Sequence, residues 1–194
     1  MKRDDIAQLY CELREETARK WDRVLPVGEL LVDRWEKAAF LNFGEKTSIY
    51  DSSIVMGNVS VGKETWIGPG TLLDGTGGQL CIGDHCDISA GVQIYTHDTV
   101  RRCLSGGRAA VEKGDVFIGN NCYIAPMSLI ARGVRIGSCC VVAAHSFVKD
   151  SFEDYSIIAG IPAVQIGEVR IEGEQVRLVY FGQGESGEEY GGKG

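Results

Sequence analysis

The chain has 194 residues, 44% of them hydrophobic and 24% charged, with a mean hydropathy of −0.06, a composition that suits one ordinary globular domain. A formal charge of −7 and a pI near 5.0 exclude a general nucleic-acid binder, whose phosphate contacts need concentrated Lys and Arg. No run approaches the roughly 20 apolar residues that span a bilayer, no N-terminal segment resembles a signal peptide, and seven cysteines without zinc-type spacing read as reduced thiols, so a cytoplasmic protein is expected.

Residues 4 to 41 hold two helix-like stretches, with Ile6, Leu9, Cys11 and Leu13 in the first and Leu30, Leu31, Trp35 and Phe40 in the second, separated by Pro26-Val27-Gly28. From Ile49 a different pattern takes over. Aliphatic residues recur every six positions: Ile49, Val55, Val61, Ile67 and Leu73, then Ile82, Ile88 and Ile94, then Ile118, Ile124, Ile130, Ile136, Val142 and Val148. Four positions after each lies a second, mostly small column that includes Ser53, Thr65, Thr71, Cys86, Cys122, Ser128, Cys140 and Ser146. The 26 glycines, spaced rather than clustered, often follow the aliphatic residue and mark a repeated turn. A period of six fits neither a helix nor a plain strand; it fits a short strand plus a corner. Three such units make a triangular coil, and stacked coils hydrogen-bond at about 4.8 Å while burying the aliphatic column. The small column belongs near the narrow corners, where Cys86, Cys122 and Cys140 act as small buried hydrophobes.

This pattern resembles the hexapeptide-repeat acyltransferases, and the resemblance covers about Ile49 to Ala163. It implies a mainly β fold, a left-handed parallel β-helix over residues 45–163. Residues 1–44 then form a helical cap over the open end of the first coil. Two interruptions break the period. Between Leu73 and Ile82 the interval is about three residues too long, with the excess in Asp74-Gly75-Thr76-Gly77-Gly78. From His97 to Asp115 the column disappears, which predicts an extruded loop over 97–115. Beyond Val148 the repeat fails, and Ala159-Gly160-Ile161-Pro162-Ala163 resembles the terminal motif of the family. Residues 164–182 are expected to form a C-terminal strand or hairpin turning near Glu172-Gly173-Glu174, and 183–194 a disordered tail.

Acyl transfer from a thioester needs a base, an oxyanion donor and a groove for the carrier. Of the three histidines, His85 and His145 occupy corner positions inside regular repeats, whereas His97 lies where the repeat stops, in Ile94-Tyr95-Thr96-His97-Asp98. That segment is similar to the histidine-containing stretch of galactoside, maltose and xenobiotic acetyltransferases and of bacterial polysaccharide O-acetyltransferases. The resemblance implies that His97 is the catalytic base and that acetyl-CoA is the co-substrate, with no metal. Adjacent residues on a strand face opposite sides, so Asp98 is assigned to the acceptor rather than to orienting His97. Asp74, in the first bulge, is a second acceptor-site candidate. The family places the pantetheine arm in a groove between neighbouring subunits of a homotrimer, and the residues matching that path are Tyr123, Ala125, Ala143, Ala144 and Lys149. Two departures stand out. Val164-Gln165-Ile166-Gly167 follows the terminal motif where relatives carry Lys or Arg for the CoA phosphates, leaving Arg170 or Arg132 to substitute; and Pro126 has no N–H for an oxyanion, leaving the Ala125 amide or a loop group.

The reading that follows is an acetyl-CoA-dependent O-acetyltransferase acting on a sugar hydroxyl in surface polysaccharide biosynthesis. An N-acetyltransferase on a nucleotide-linked amino sugar and a xenobiotic O-acetyltransferase are its nearest alternatives. A zinc carbonic anhydrase of the same solenoid needs three converging histidines, and His85, His97 and His145 lack its paired spacing. A non-catalytic scaffold leaves the pairing of His97 with a long loop unexplained.

Overall fold

A strand of two residues makes too few hydrogen bonds to persist unless others lie above and below it, and most strands of this chain are that short. In the computed structural model, which describes residues 3–182, they survive by stacking. Three helices come first, α1 (Arg3–Trp21), α2 (Val27–Leu31) and α3 (Arg34–Phe40). The first coil contributes β1 (Ser48–Ile49) and β2 (Ile54–Val61), and the second β3 (Trp66–Ile67) and β4 (Leu72–Ile82). The third contributes β5 (Asp87–Ile88) and β6 (Gln93–Tyr95), then β7 (His97–Asp98), α4 (Val100–Leu104), β8 (Glu112–Lys113) and β9 (Val116–Ile118). The fourth has β10 (Tyr123–Ile124), β11 (Leu129–Ile130) and β12 (Arg135–Ile136), and the fifth β13 (Val141–Val142) and β14 (Phe147–Val148). The chain closes with β15 (Ser156–Gly160), β16 (Ala163–Glu172) and β17 (Gln175–Tyr180). The tail expected at 183–194 lies outside the described residues.

The pairings resolve into three parallel ladders. The first runs β1, β3, β5, β10, β13, β15, stacking Ile49, Ile67, Ile88, Ile124, Val142 and Ile158. The second takes the first halves of β2 and β4 with β6, β11 and β14, stacking Val55, Leu73, Ile94, Ile130 and Val148. The third takes the second halves of β2 and β4 with β9 and β12, stacking Val61, Ile82, Ile118 and Ile136. Every six-residue step therefore moves the chain to the next face, and every third step returns it one rung higher. The first-ladder aliphatics are fully buried. At about 25 cal/mol per Å² this column is the main favourable term of the fold.

The small column does more than save volume. Thr65 Oγ1 donates to Gly83 O at 3.0 Å, Cys86 Sγ to Gly119 O at 3.2 Å, Cys122 Sγ to Gly137 O at 3.0 Å and Cys140 Sγ to Glu153 O at 3.2 Å. Each side chain thus joins its coil to the next at the corner between the third and first ladders. The thiol neighbours of Cys122, Cys140 foremost and then Cys86, push its thiol up together with burial, so it stays a protonated donor. Just before these residues each coil places a non-glycine in the left-handed region: Lys46, Glu64, His85, Asn121, Cys139 and Tyr155, with φ between 53° and 62°. Such a conformation costs about 1–2 kcal/mol for an L-residue. A backbone bond to the coil below offsets it, as from His85 N to Lys63 O at 2.9 Å and from Cys139 N to Asn120 O at 2.8 Å.

The second helix-like stretch is divided, because Asp33 ends one helix and caps the next by accepting from Trp35 N and Glu36 N at 2.9 Å. Ala38 and Phe43 cover the end of the aliphatic column. Lys37 Nζ donates to the carbonyls of Tyr50, Asp51 and Ser53 at 3.1, 2.7 and 3.0 Å. Glu29 accepts from Asp51 N, Ser52 N and Ser52 Oγ at 2.8, 2.9 and 2.6 Å. The first coil's polar groups at this corner are satisfied by the helices. At the other end β16 pairs antiparallel with β15 and with β17, turning at Gly173. Lys37→Met leaves three carbonyls without their ammonium donor and is expected to cost about 1–3 kcal/mol, read as a lower urea midpoint with unchanged slope.

Candidate active site

Both interruptions of the repeat fall on one corner. The step from second to third ladder takes six residues in the first and fourth coils, nine in the second (Leu73 to Ile82) and 24 in the third (Ile94 to Ile118). The extra residues of the second coil therefore lie directly under the start of the 97–115 insertion, and the contacts between them build the site.

Thr96 fixes the departure point. It is fully buried; its N–H and Oγ1 both donate to Asp74 O, at 3.0 and 2.7 Å, and Oγ1 accepts from Gly77 N at 2.9 Å. Gly114 N then donates to Thr96 O at 2.9 Å where the insertion returns. Asp74 and Thr76 form an Asx turn: Asp74 Oδ1 accepts from Thr76 N at 2.9 Å and from Thr76 Oγ1 at 2.6 Å. The other oxygen, Oδ2, lies 3.3 Å from His97 Nδ1, and Thr76 Oγ1 is also 3.3 Å from that nitrogen. The Asp74 side chain is 3% exposed and that of His97 29%. This geometry makes Nδ1–H the donor and leaves Nε2, which has no partner among the described residues, as an acceptor. Gly77 is required by close approach, since a Cβ there would lie 2.3 Å from Thr96 O and 2.5 Å from His97 Cβ.

Two expectations change. Asp74, expected to face the acceptor, has its carboxylate buried against Thr76 and His97, because the Asx turn folds it inward. Asp98 does face away from His97, as strand alternation requires, but its carboxylate is taken by Arg132 Nε at 2.6 Å, and the guanidinium holds it below the usual carboxylate range. Arg132 also binds Glu112 Oε2, so it is not a free cation for CoA phosphates. Sequence reasoning gave Thr76 no role; the signal available was the Asp-x-Thr spacing of an Asx turn.

The residues matched to the donor path do not gather around His97 within one chain. Ala125, Ala143 and Ala144 lie on the corner between the first and second ladders, and His97 on the corner between the second and third. Ala125 is 6% exposed and its amide donates to Val142 O at 2.9 Å, so it is not available to an oxyanion. Ala143 N likewise donates to Ile158 O at 2.8 Å, whereas Ala144 is exposed and its N–H has no partner among the described residues. Tyr123 lies on the first face, in a cleft of about 430 Å³ shared with Val141, Val169, Ile171, Val176 and Leu178. Lys149 is exposed and paired with Asp150 at 2.6 Å. Arg170 is exposed on β16, opposite Arg177.

His85 is paired with Glu64 at 3.2 Å, and His85, His97 and His145 stand on three different corners. Among the described residues no group of three or more His, Cys, Asp or Glu is placed to hold a metal. Among them, too, no helix is long and apolar enough to cross a membrane.

The sequence profile of the bacterial transferase hexapeptide family (six repeats) matches residues 115–150. Over this segment the chain is similar to the hexapeptide-repeat transferases. It is 32% identical over 127 residues to the carnitine operon protein CaiE of Escherichia coli O7:K1 (strain IAI39 / ExPEC), covering 62% of this chain and 64% of that protein. It is 29% identical over 119 residues to a chloramphenicol acetyltransferase of Morganella morganii, covering 52% and 56%. The chain thus spans less than two thirds of the length of these curated relatives. Among solved structures it resembles AntD, an N-acyltransferase from Bacillus cereus in complex with dTDP and 3-hydroxybutyryl-CoA, with a TM-score of 0.57 and 27% identity over 65% of this chain and 71% of that one. In a stacked solenoid the register at the insertion should be stringent. Gly77→Ala forces Thr96 or His97 to move and is expected to cost about 1–3 kcal/mol, seen as a lower melting midpoint.

Proposed function

We propose that this chain is an acetyl-CoA-dependent O-acetyltransferase that acetylates a sugar hydroxyl in surface polysaccharide biosynthesis, with His97 as general base. The reading takes the solenoid as left-handed and the 97–115 insertion as an extruded loop bordering the acceptor. The observation that carries it is the state of His97: Nδ1 is held by a buried carboxylate and a hydroxyl, and Nε2 has no partner among the described residues.

In this arrangement the neutral imidazole accepts the acceptor's hydroxyl proton at Nε2 as the oxygen attacks the thioester carbonyl. Asp74 keeps the ring in the tautomer with Nδ1 protonated and offsets the imidazolium charge that develops. Collapse of the tetrahedral intermediate breaks the C–S bond, and Nε2 returns the proton to the departing thiolate of CoA. No covalent enzyme intermediate is needed. The separation of the alanine corner from the His97 corner favours a homotrimer in which the alanine corner of one copy faces His97 of the next, with acetyl-CoA between them. Ala143 and Ala144 then line the pantetheine path, with the free Ala144 amide as a donor, and Tyr123 and Lys149 stand further along it. The name of the Morganella morganii relative supports acetyl transfer, and the complex of AntD with 3-hydroxybutyryl-CoA supports CoA as the carrier. A mutant form of AntD, crystallised in complex with dTDP-4-amino-4,6-dideoxyglucose and coenzyme A, also favours a second reading, in which the acceptor is the amine of a nucleotide-linked sugar.

A CoA-release screen across saccharides, nucleotide-linked amino sugars and small hydroxylated xenobiotics decides between them. The expected result is release with a saccharide acceptor, lowered about 10²- to 10⁴-fold by His97→Ala with the fold intact. Full turnover in the variant overturns the base; turnover with the amino sugar alone moves the assignment to the amine.

A further inference from the structure

The strand that carries His97 cannot hold itself in place. β7 and β8 pair over two residues each, His97 opposite Lys113 and Asp98 opposite Glu112, and an isolated pair of that length is unstable in water. Alternation turns neighbouring side chains of β7 to opposite faces. His97 points back to the second coil, where Asp74 and Thr76 meet it. Asp98 points forward to the fourth coil, and Glu112, across the pair, points the same way. Both carboxylates end on one guanidinium, with Arg132 Nε donating to Asp98 Oδ2 and Nη2 to Glu112 Oε2. The other oxygen of Glu112 is held by Arg101 of α4 at 3.1 Å, and Asp98 Oδ1 accepts from Val100 N at 3.1 Å. The base of the insertion rests on the same corner: a Cβ on Gly114 would lie 2.9 Å from Gly133 N, beside Arg132.

We infer that Arg132 is a positioning residue for His97, fixing β7 against the fourth coil through Asp98 and Glu112 while Asp74 fixes it against the second. The inference rests on the reading of His97 as base. Arg132 touches no reacting atom; its two donors are matched by two carboxylates, and the chain of Arg132, Asp98, Glu112 and Arg101 is electrically balanced. The forked geometry matters, because a lysine ammonium lacks the planar fork that sets two donors toward two separate carboxylates.

The test compares Arg132→Gln, Arg132→Lys, Asp98→Asn and the Arg132→Gln/Asp98→Asn double variant in the full chain. Misplacing the base should lower kcat of Arg132→Gln about 10- to 100-fold while KM for acetyl-CoA stays within about twofold. Arg132→Lys should recover part of that loss, and the double variant should be no slower than the slower single one, since both cut the same link. A kcat within about twofold of wild type for Arg132→Gln, or losses that multiply in the double variant, overturns the inference. A second readout does not depend on turnover: the His97 ring signals in NMR spectra, assigned with His85→Gln and His145→Gln. If wild-type protein releases no CoA with any acceptor, the acetyltransferase reading fails, but a His97 signal displaced by Arg132→Gln still supports the positioning role. An unmoved signal overturns it.

Discussion

The structure depends on one constraint: each two-residue strand of the solenoid exists only as a rung paired with the rungs that stack on it. A coil that returned one residue early or late would turn its aliphatic residue outward and expose the column. The other regularities serve that return. The left-handed residues from Lys46 to Tyr155 tighten one corner of successive coils to the same pitch, and the hydroxyl and thiol donors of Thr65, Cys86, Cys122 and Cys140 tie that corner to the next coil. Helices α2 and α3 supply, through Glu29 and Lys37, partners for one corner of the first coil that a lower coil would otherwise provide.

Only the corner between the second and third ladders departs from the pattern, and it departs in adjacent coils. The bulge of β4 gives Asp74 and Thr76 room to turn toward the next coil. The insertion gives His97 a strand of its own that reaches back to meet them. A histidine at a regular corner, such as His85, is fixed by the turn and meets only a surface carboxylate. His97 is held by the Asx turn of the coil below, which immobilises one ring nitrogen and leaves the other turned away from it.

The period of six was legible because each coil repeats the same burial, and it placed both the aliphatic column and the two breaks. The composition of the small column was legible as volume but not as hydrogen bonding, since a cysteine reads as apolar until a carbonyl is seen opposite its sulfur. The division of the second helical stretch was missed because apolar residues stand on both sides of Asp33, at Leu30, Leu31 and Val32 and again at Trp35, and its capping role depends on local backbone geometry. The site was the least legible part. In regular coils stacked residues are 18 apart, as Lys46 and Glu64 are. Across the breaks the spacing becomes 21 for Thr76 and His97 and 34 for Asp98 and Arg132, values set by the path of the insertion. Asp74 and Asp98 were expected to face the acceptor, and the partners their carboxylates take in the structure could not be counted from the repeat.

The insertion leaves the solenoid after Ile94 and rejoins it at Val116, which takes its place beside Leu80 as if nothing had intervened. The stacked core therefore does not register how long the excursion is. Residues can be added to or removed from that corner without shifting a rung, so a lineage carrying this architecture could change what lies over His97 by altering loop length alone. The composition of that corner and the stability of the fold are then inherited nearly separately, the first free to drift while the second is held fixed.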